Sequence, residues 1–134
     1  MLVLGAGAWG TAFASRFALG HPKARIYLWA RDSKLAQEIT IKNINNKYLD
    51  GSVLSSSLTC DSNLHDLIQK FTHKSNSEIG KKIVVFAVPV SALNEVCSNL
   101  KEFNLSTEVC LLWLCKGAIR IDGKFFWPSQ IIRS

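Results

Sequence analysis

The 134-residue chain predicts an α/β fold, a doubly wound and mostly parallel sheet with helices on both faces. Three observations predict it. Short, nearly all-apolar runs (LVL at 2–4, RIYLWA at 25–30, IVVFAVP at 83–89, VCLLWLC at 109–115) have the composition of strands covered on both sides. Segments of helical composition alternate with them, the pattern that places parallel strands beside crossover helices. Three glycines, Gly5, Gly7 and Gly10, stand between the first apolar run and the first helical segment.

The opening LVL is a strand, and TAFASRFAL after the glycines is a helix for which Gly20 is the expected C-terminal cap, with Pro22 discouraging continuation. RIYLWA is the second strand. Asp32-Ser33 caps a second helix, KLAQEITIK, and NINNKYLDGSVLSSS is a polar connection turning at Asp50-Gly51. A short strand is expected near 58–60, then a helix, DSNLHDLIQKF, capped by Asp61 or Ser62. THKSNSEIGKK reads as a loop, IVVFAVP as a strand stopped by Pro89, SALNEVCSNLKEF as a helix and VCLLWLC as a further buried strand. The last segment, KGAIRIDGKFFWPSQIIRS, has two readings: a tail packed on its own sheet, or aromatics (Phe125, Phe126, Trp127) facing a second domain.

Composition narrows the function classes. At 48% hydrophobic and 19% charged, without repeats or low-complexity tracts, the chain is of globular type and suits one domain. The net charge of +6 comes from basic residues spread along the chain, densest only at Lys81-Lys82, with no stripe of interleaved aromatics, so no nucleic-acid partner is expected. Cys60, Cys97, Cys110 and Cys115 form no CxxC pair, and His21, His65 and His73 complete no zinc spacing, so no metal is expected. Cys110 and Cys115 sit in an apolar run, where a free thiol behaves as a small buried hydrophobe, and reduced thiols suit a cytoplasmic setting. The apolar first fifteen residues, with Ala12-Phe13-Ala14, loosely imitate a secretion signal, but nothing basic precedes Arg16 and glycines interrupt the stretch. No apolar run approaches the roughly 18 residues of a membrane span.

Glycines at this spacing are weak evidence alone. Placed after a strand, opening a helix and followed by a second strand, they point to a Rossmann-type dinucleotide cradle, with a plain structural turn as the competing reading. Gly5 permits the tight turn, Gly7 lets a pyrophosphate approach the backbone, and Gly10 lets the helix pack on the sheet. The helix N-terminus then offers unpaired N–H groups and partial positive charge to the phosphates. No Gly-Lys-Ser/Thr follows, which excludes a Walker-type loop.

An acid at the end of the second strand would accept from the adenosine ribose of NAD, whereas Arg31 stands near that place and a guanidinium there pairs with a 2′-phosphate. NADP is slightly favoured, Asp32 keeps NAD open, and Arg31 stacking on adenine or lying in solvent is the plainer alternative. Lys116 ends the VCLLWLC strand, where open α/β sheets bind ligands, and can aim an ammonium at a phosphate or carbonyl oxygen; a merely solvated lysine is the competing reading.

Gly5-Ala6-Gly7-Ala8-Trp9-Gly10-Thr11-Ala12, Leu28-Trp29-Ala30-Arg31, Asn45-Asn46-Lys47-Tyr48-Leu49-Asp50-Gly51, Val85-Phe86-Ala87-Val88-Pro89 and Cys115-Lys116-Gly117 together resemble the N-terminal domain of NAD(P)-dependent glycerol-3-phosphate dehydrogenase. The resemblance runs through essentially all of the chain. It implies hydride transfer between a nicotinamide cofactor and the carbon shared by dihydroxyacetone phosphate and sn-glycerol 3-phosphate, feeding glycerophospholipid synthesis. It also implies Ala8 and Trp9 against the cofactor, Arg31 at its adenosine end, Tyr48 near it, Pro89 beside the nicotinamide, and Lys116 in contact with both substrate and cofactor. Three departures stand out: Asp50 for the usual Pro of Leu-Pro-Gly, Asn43 for a common Arg, and Cys115 for a small hydroxyl residue.

The resemblance covers less than half the family's length. Residues 1–134 are therefore expected to be an incomplete dinucleotide-binding domain, without the helical C-terminal domain that supplies the general acid/base lysine and most contacts to the phosphorylated three-carbon substrate. Rival readings are another Rossmann dehydrogenase, of hydroxyacyl or ketopantoate type, and a stand-alone dinucleotide-sensing module.

Overall fold

The computed structural model describes residues 1–73 and 80–133, so most of the expected 72–82 loop lies outside the described residues. Five parallel strands form the main sheet: β1 (Leu2–Leu4), β2 (Ile26–Trp29), β3 (Leu58–Asp61), β4 (Ile83–Phe86) and β5 (Cys110–Trp113), in spatial order β3-β2-β1-β4-β5. The helices are α1 (Ala8–Gly20), α2 (Ser33–Lys42), α3 (Leu64–Thr72), α4 (Val90–Lys101) and α5 (Pro128–Arg133). A separate antiparallel hairpin of β6 (Ile119–Ile121) and β7 (Lys124–Phe126) precedes α5. The five-strand order is that of a Rossmann-type fold, as expected.

Alternation along the strands divides the core in two. Leu2, Leu4, Val84 and Phe86 point to one face, where Leu67, Ile68, Leu93, Val96 and Ile131 cover them. Val3, Ile26, Leu28 and Val85 point to the other, against Ala14, Ala18, Leu35 and Ile39 of α1 and α2. The register Leu2↔Val84 and Val3↔Val85 keeps each set in line across neighbouring strands. This two-sided burial explains why β1 and β4 read as unbroken apolar runs.

The structure corrects several sequence expectations. Gly20 does not cap α1 but is its last helical residue; the cap is His21, whose N–H bonds the Phe17 carbonyl. The His21 ring stacks on Phe17 at 4.1 Å, and its Nδ1 lies 3.0 Å from the same carbonyl, so the imidazole closes this end without a left-handed glycine. The cap of α3 is neither Asp61 nor Ser62 but Asn63, whose side chain accepts from the Asp66 N–H. Asp61 instead turns the chain one step earlier by accepting from the Asn63 N–H. Strand β4 stops at Phe86, before Pro89, which serves as the N-cap of α4.

The largest correction concerns β5. Expected to be buried, it is exposed along its whole length; it lies at the margin of the sheet, paired among the described residues with β4 alone. Cys110 is accordingly exposed, and only Cys115 is partly covered. The last segment divides between its two readings: Ile119, Phe126, Ile131 and Ile132 pack on the core, while Phe125 and Trp127 remain exposed.

The close approach of α1 to the sheet depends on Gly10. A Cβ there would lie 1.9 Å from the Gly5 carbonyl oxygen and 2.9 Å from the Ala87 Cβ, and the first neighbour is backbone that cannot swing aside. Gly10→Ala should therefore cost about 3 kcal/mol of folding stability, the upper range for forced overpacking. Urea unfolding of the two chains checks this, and an unchanged midpoint would show that α1 can lift off the turn freely.

Candidate cofactor site

The carboxyl ends of β1, β2, β4 and β5 open onto one cavity of about 800 Å³. It lies where the chain reverses direction across the sheet: β1 leads through α1 to β2 on one side, and β4 lies against β1 on the other. Such a switch point leaves a crevice between diverging connections, and the volume falls within the range of small-molecule sites.

The floor is the glycine turn. Gly5 adopts φ +114°, and a Cβ on it would come within 2.7 Å of the Ala87 carbonyl oxygen, so both conformation and space require glycine. Gly7 differs. A Cβ there would meet no protein atom within 4 Å, and Gly7 lies on the cavity wall, so the space its missing side chain leaves is open to a ligand. Gly7 is also the N-cap of α1, with no side-chain cap and no acid in the first turn, which leaves the leading N–H groups for an anion. Gly10 is not on the wall; it acts from behind by seating the helix.

Every other residue expected at the cofactor lines this cavity: Gly5, Gly7, Ala8, Trp9, Arg31, Tyr48, Pro89 and Lys116. Lys116 sits with its ammonium 5.7 Å from the Trp9 ring centroid, bridging the end of β5 to the start of α1 by a cation–π contact. Before it, the Cys115 thiol points at the Phe86 carbonyl, 3.6 Å away, and burial pushes its pKa up. Trp29 forms another part of the wall and is fixed by its indole N–H donating to the Ser62 carbonyl at 3.0 Å.

At the end of β2, Arg31 and Asp32 share the wall with Lys47 and Tyr48. Asp32 Oδ1 accepts from the N–H groups of Lys34 and Leu35 at 3.0 and 3.4 Å, capping α2 as expected. Its Oδ2 lies 3.4 Å from Lys47 Nζ. The two amide bonds, Leu35 first, and then Lys47 hold the Asp32 carboxyl below its usual range, while the bond to Asp32 pushes the Lys47 ammonium up.

Asn45, which stands in a motif of the resemblance, holds the site together in a way that its place in the sequence does not show. Fully buried, it donates from Nδ2 to the Ala6 carbonyl at 3.0 Å and to Thr11 Oγ1 at 2.8 Å, and its Oδ1 accepts from the Tyr48 N–H at 3.2 Å. One amide thus ties the glycine turn, the first turn of α1 and the 45–51 segment together. Apart from that motif, it is an Asn in a run of polar residues, where most asparagines are solvated turn formers. Further along, the Ser52 N–H bonds the Leu49 carbonyl at 3.1 Å around Gly51, at φ +71°; Asp50 thus occupies the turn position where a proline would preset the backbone.

Comparison with known proteins identifies this arrangement. The family model for the N-terminus of NAD-dependent glycerol-3-phosphate dehydrogenase matches residues 1–134. The chain belongs to that family. It is 37% identical over 131 residues to glycerol-3-phosphate dehydrogenase [NAD(P)+] of Cupriavidus necator, covering 98% of this chain and 36% of that protein. The corresponding enzyme of Leptothrix cholodnii is 36% identical over 118 residues, 86% of this chain and 33% of the relative. The chain therefore spans about a third of the length of these relatives. Among solved structures, glycerol-3-phosphate dehydrogenase from Plasmodium falciparum superposes with a TM-score of 0.81 at 24% identity, over 98% of this chain and 36% of that one. The Coxiella burnetii enzyme gives 0.75 at 24% identity, over 98% and 35%. At these identities the two structures bear on the fold alone.

Among the described residues, no group of three His, Cys, Asp or Glu side chains is placed to hold a metal ion, and no helix is long and apolar enough to cross a membrane.

Removing the Asn45 amide would orphan a buried carbonyl and hydroxyl together. Asn45→Ala should lower folding stability by about 2 kcal/mol or more. Thermal unfolding followed by circular dichroism measures it, and a shift within error would mean that water takes over the clamp without loss.

Proposed function

We propose that these residues form the dinucleotide-binding half of a glycerol-3-phosphate dehydrogenase, carrying out reversible hydride transfer between NAD(P)H and dihydroxyacetone phosphate. The observation that carries the reading is Gly7, bare toward open space at the uncapped start of α1 and on the wall of the switch-point cavity. A pyrophosphate approaching there meets free amides and the positive end of a 13-residue helix rather than a side chain.

The cofactor, when bound, supplies or accepts the hydride. The chain's own residues do the rest. Ala8 and Trp9 flank the pyrophosphate turn, and Ala87 to Pro89 border the far side of the cavity, beside the nicotinamide. Lys116, on the same wall, places a positive charge where it favours a substrate phosphate and stabilises negative charge developing on a carbonyl oxygen. Tyr48 and Arg31 border the adenosine end. A guanidinium there favours a 2′-phosphate, which is why NADP is preferred over NAD. The cytoplasm is the proposed setting.

The acids on the cavity wall are Asp32, already engaged in the α2 cap and with Lys47, and Glu95. The resemblance implies that the general acid/base lysine belongs to the family's C-terminal domain, and the chain spans about a third of its relatives' length. The residues described here accordingly bind the dinucleotide weakly and turn nothing over alone.

Calorimetric titration with NADPH and NADH should show binding of both, and absence of heat with either would overturn the dinucleotide reading. NADPH oxidation in the presence of dihydroxyacetone phosphate should be undetectable with the 134-residue chain; clear turnover would show that the catalytic set is already complete within it. Arg31→Ala should weaken NADPH binding by about 1.5–3 kcal/mol and NADH binding by less, the range for hydrogen bonds to charged groups. Equal losses would remove the basis for preferring NADP.

A further inference from the structure

We propose that Lys47 is a second specificity-determining cation, and that the Lys47–Asp32 pair biases this site toward dinucleotides bearing a 2′-phosphate; the inference rests on the dinucleotide reading above. A site selective for the unphosphorylated ribose needs a carboxylate with free acceptor positions facing the diol. Asp32 is the acid nearest that place in the chain, and both of its oxygens are engaged. Oδ1 accepts from two amides at the start of α2, and Oδ2 lies against the Lys47 ammonium. The charge that would recognise a diol is instead spent on capping a helix and holding a lysine.

Lys47 is suitably placed for the opposite task. It lines the main cavity with Arg31 and Tyr48, and its Nζ lies 5.4 Å from the Tyr48 ring centroid. Asp32, Leu35 and Lys47 also border a shallower depression of about 430 Å³ beyond the main cavity, which Lys34 and Lys42 line together with the opposing charge of Glu38. The ion pair therefore stands at the boundary between the two spaces, with room beyond it for a group attached to the ribose. Its side chains remain 54% and 45% exposed, and exposed pairs hold weakly, so Lys47 can turn from Asp32 to a phosphate of higher charge. Arg31 supplies the planar fork and Lys47 a movable point charge. A neutral diol gains from neither.

The test uses the intact 134-residue chain with 2′,5′-ADP and 5′-ADP as probes in calorimetry, comparing the wild type with Lys47→Met and Asp32→Asn. Lys47→Met keeps the apolar stem, and Asp32→Asn keeps an acceptor for the α2 cap. Lys47→Met should weaken 2′,5′-ADP about fivefold while leaving 5′-ADP within about twofold, and Asp32→Asn should tighten 2′,5′-ADP. Circular dichroism reports whether each variant stays folded, and Asp32→Asn decides the matter should Lys47→Met not. Equal weakening of both probes by Lys47→Met, or no change from either variant, would overturn the role of the pair while leaving the dinucleotide reading intact. Failure of the wild type to bind either probe would sink both.

Discussion

Everything at the mouth of the sheet depends on how closely the first helix sits against the turn that leads into it. The Gly5 carbonyl oxygen occupies the space a side chain at position 10 would need, and Ala87, just past the end of β4, closes the same gap. Three glycines in six residues thus serve distinct physical ends. One bends the chain, one admits the helix, and the one between them is required by nothing among the described residues. That the unneeded one faces the cavity is the strongest sign that the turn is shaped for something other than the chain itself.

A turn so sparsely covered needs support, and the 45–51 segment provides it. Asn45 satisfies the Ala6 carbonyl and the Thr11 hydroxyl from one buried amide, while its own carbonyl oxygen orders Tyr48. Ser55 extends the attachment, its N–H donating to Ser15 Oγ at 2.9 Å on the next turns of α1. The loop that brings Lys47 and Tyr48 to the cavity wall is thus the same loop that fixes the glycine turn. A single side chain joins the two parts of the wall.

Much of this was legible in the sequence because Rossmann-type folds place their chemistry at strand ends that periodicity and glycine spacing mark. Gly5, Gly7, Trp9, Arg31, Pro89 and Lys116 all meet in one cavity because each follows an apolar run, and parallel strands present the ends of such runs on one side. What was not legible depends on partners distant in the chain. Asn45 works through Ala6 and Thr11, and Lys47 through Asp32; local composition shows no such pairing. The exposure of β5 is illegible in the sequence for a related reason. An apolar run reports what a strand is able to face, not what covers it, and VCLLWLC looks the same at a sheet's centre and at its margin.

That margin has a consequence for the isolated polypeptide. Leu111, Leu112 and Trp113 lie partly bare along a strand laddered on one side, and Phe125 and Trp127 are exposed as well. An unprotected strand of this kind is a template for accretion by further chains. The net charge of +6 opposes such accretion through mutual repulsion, which salt weakens over distances of about 8 Å at physiological ionic strength. Lower ionic strength lengthens the reach of that repulsion, so dilute, low-salt buffer favours the dispersed polypeptide.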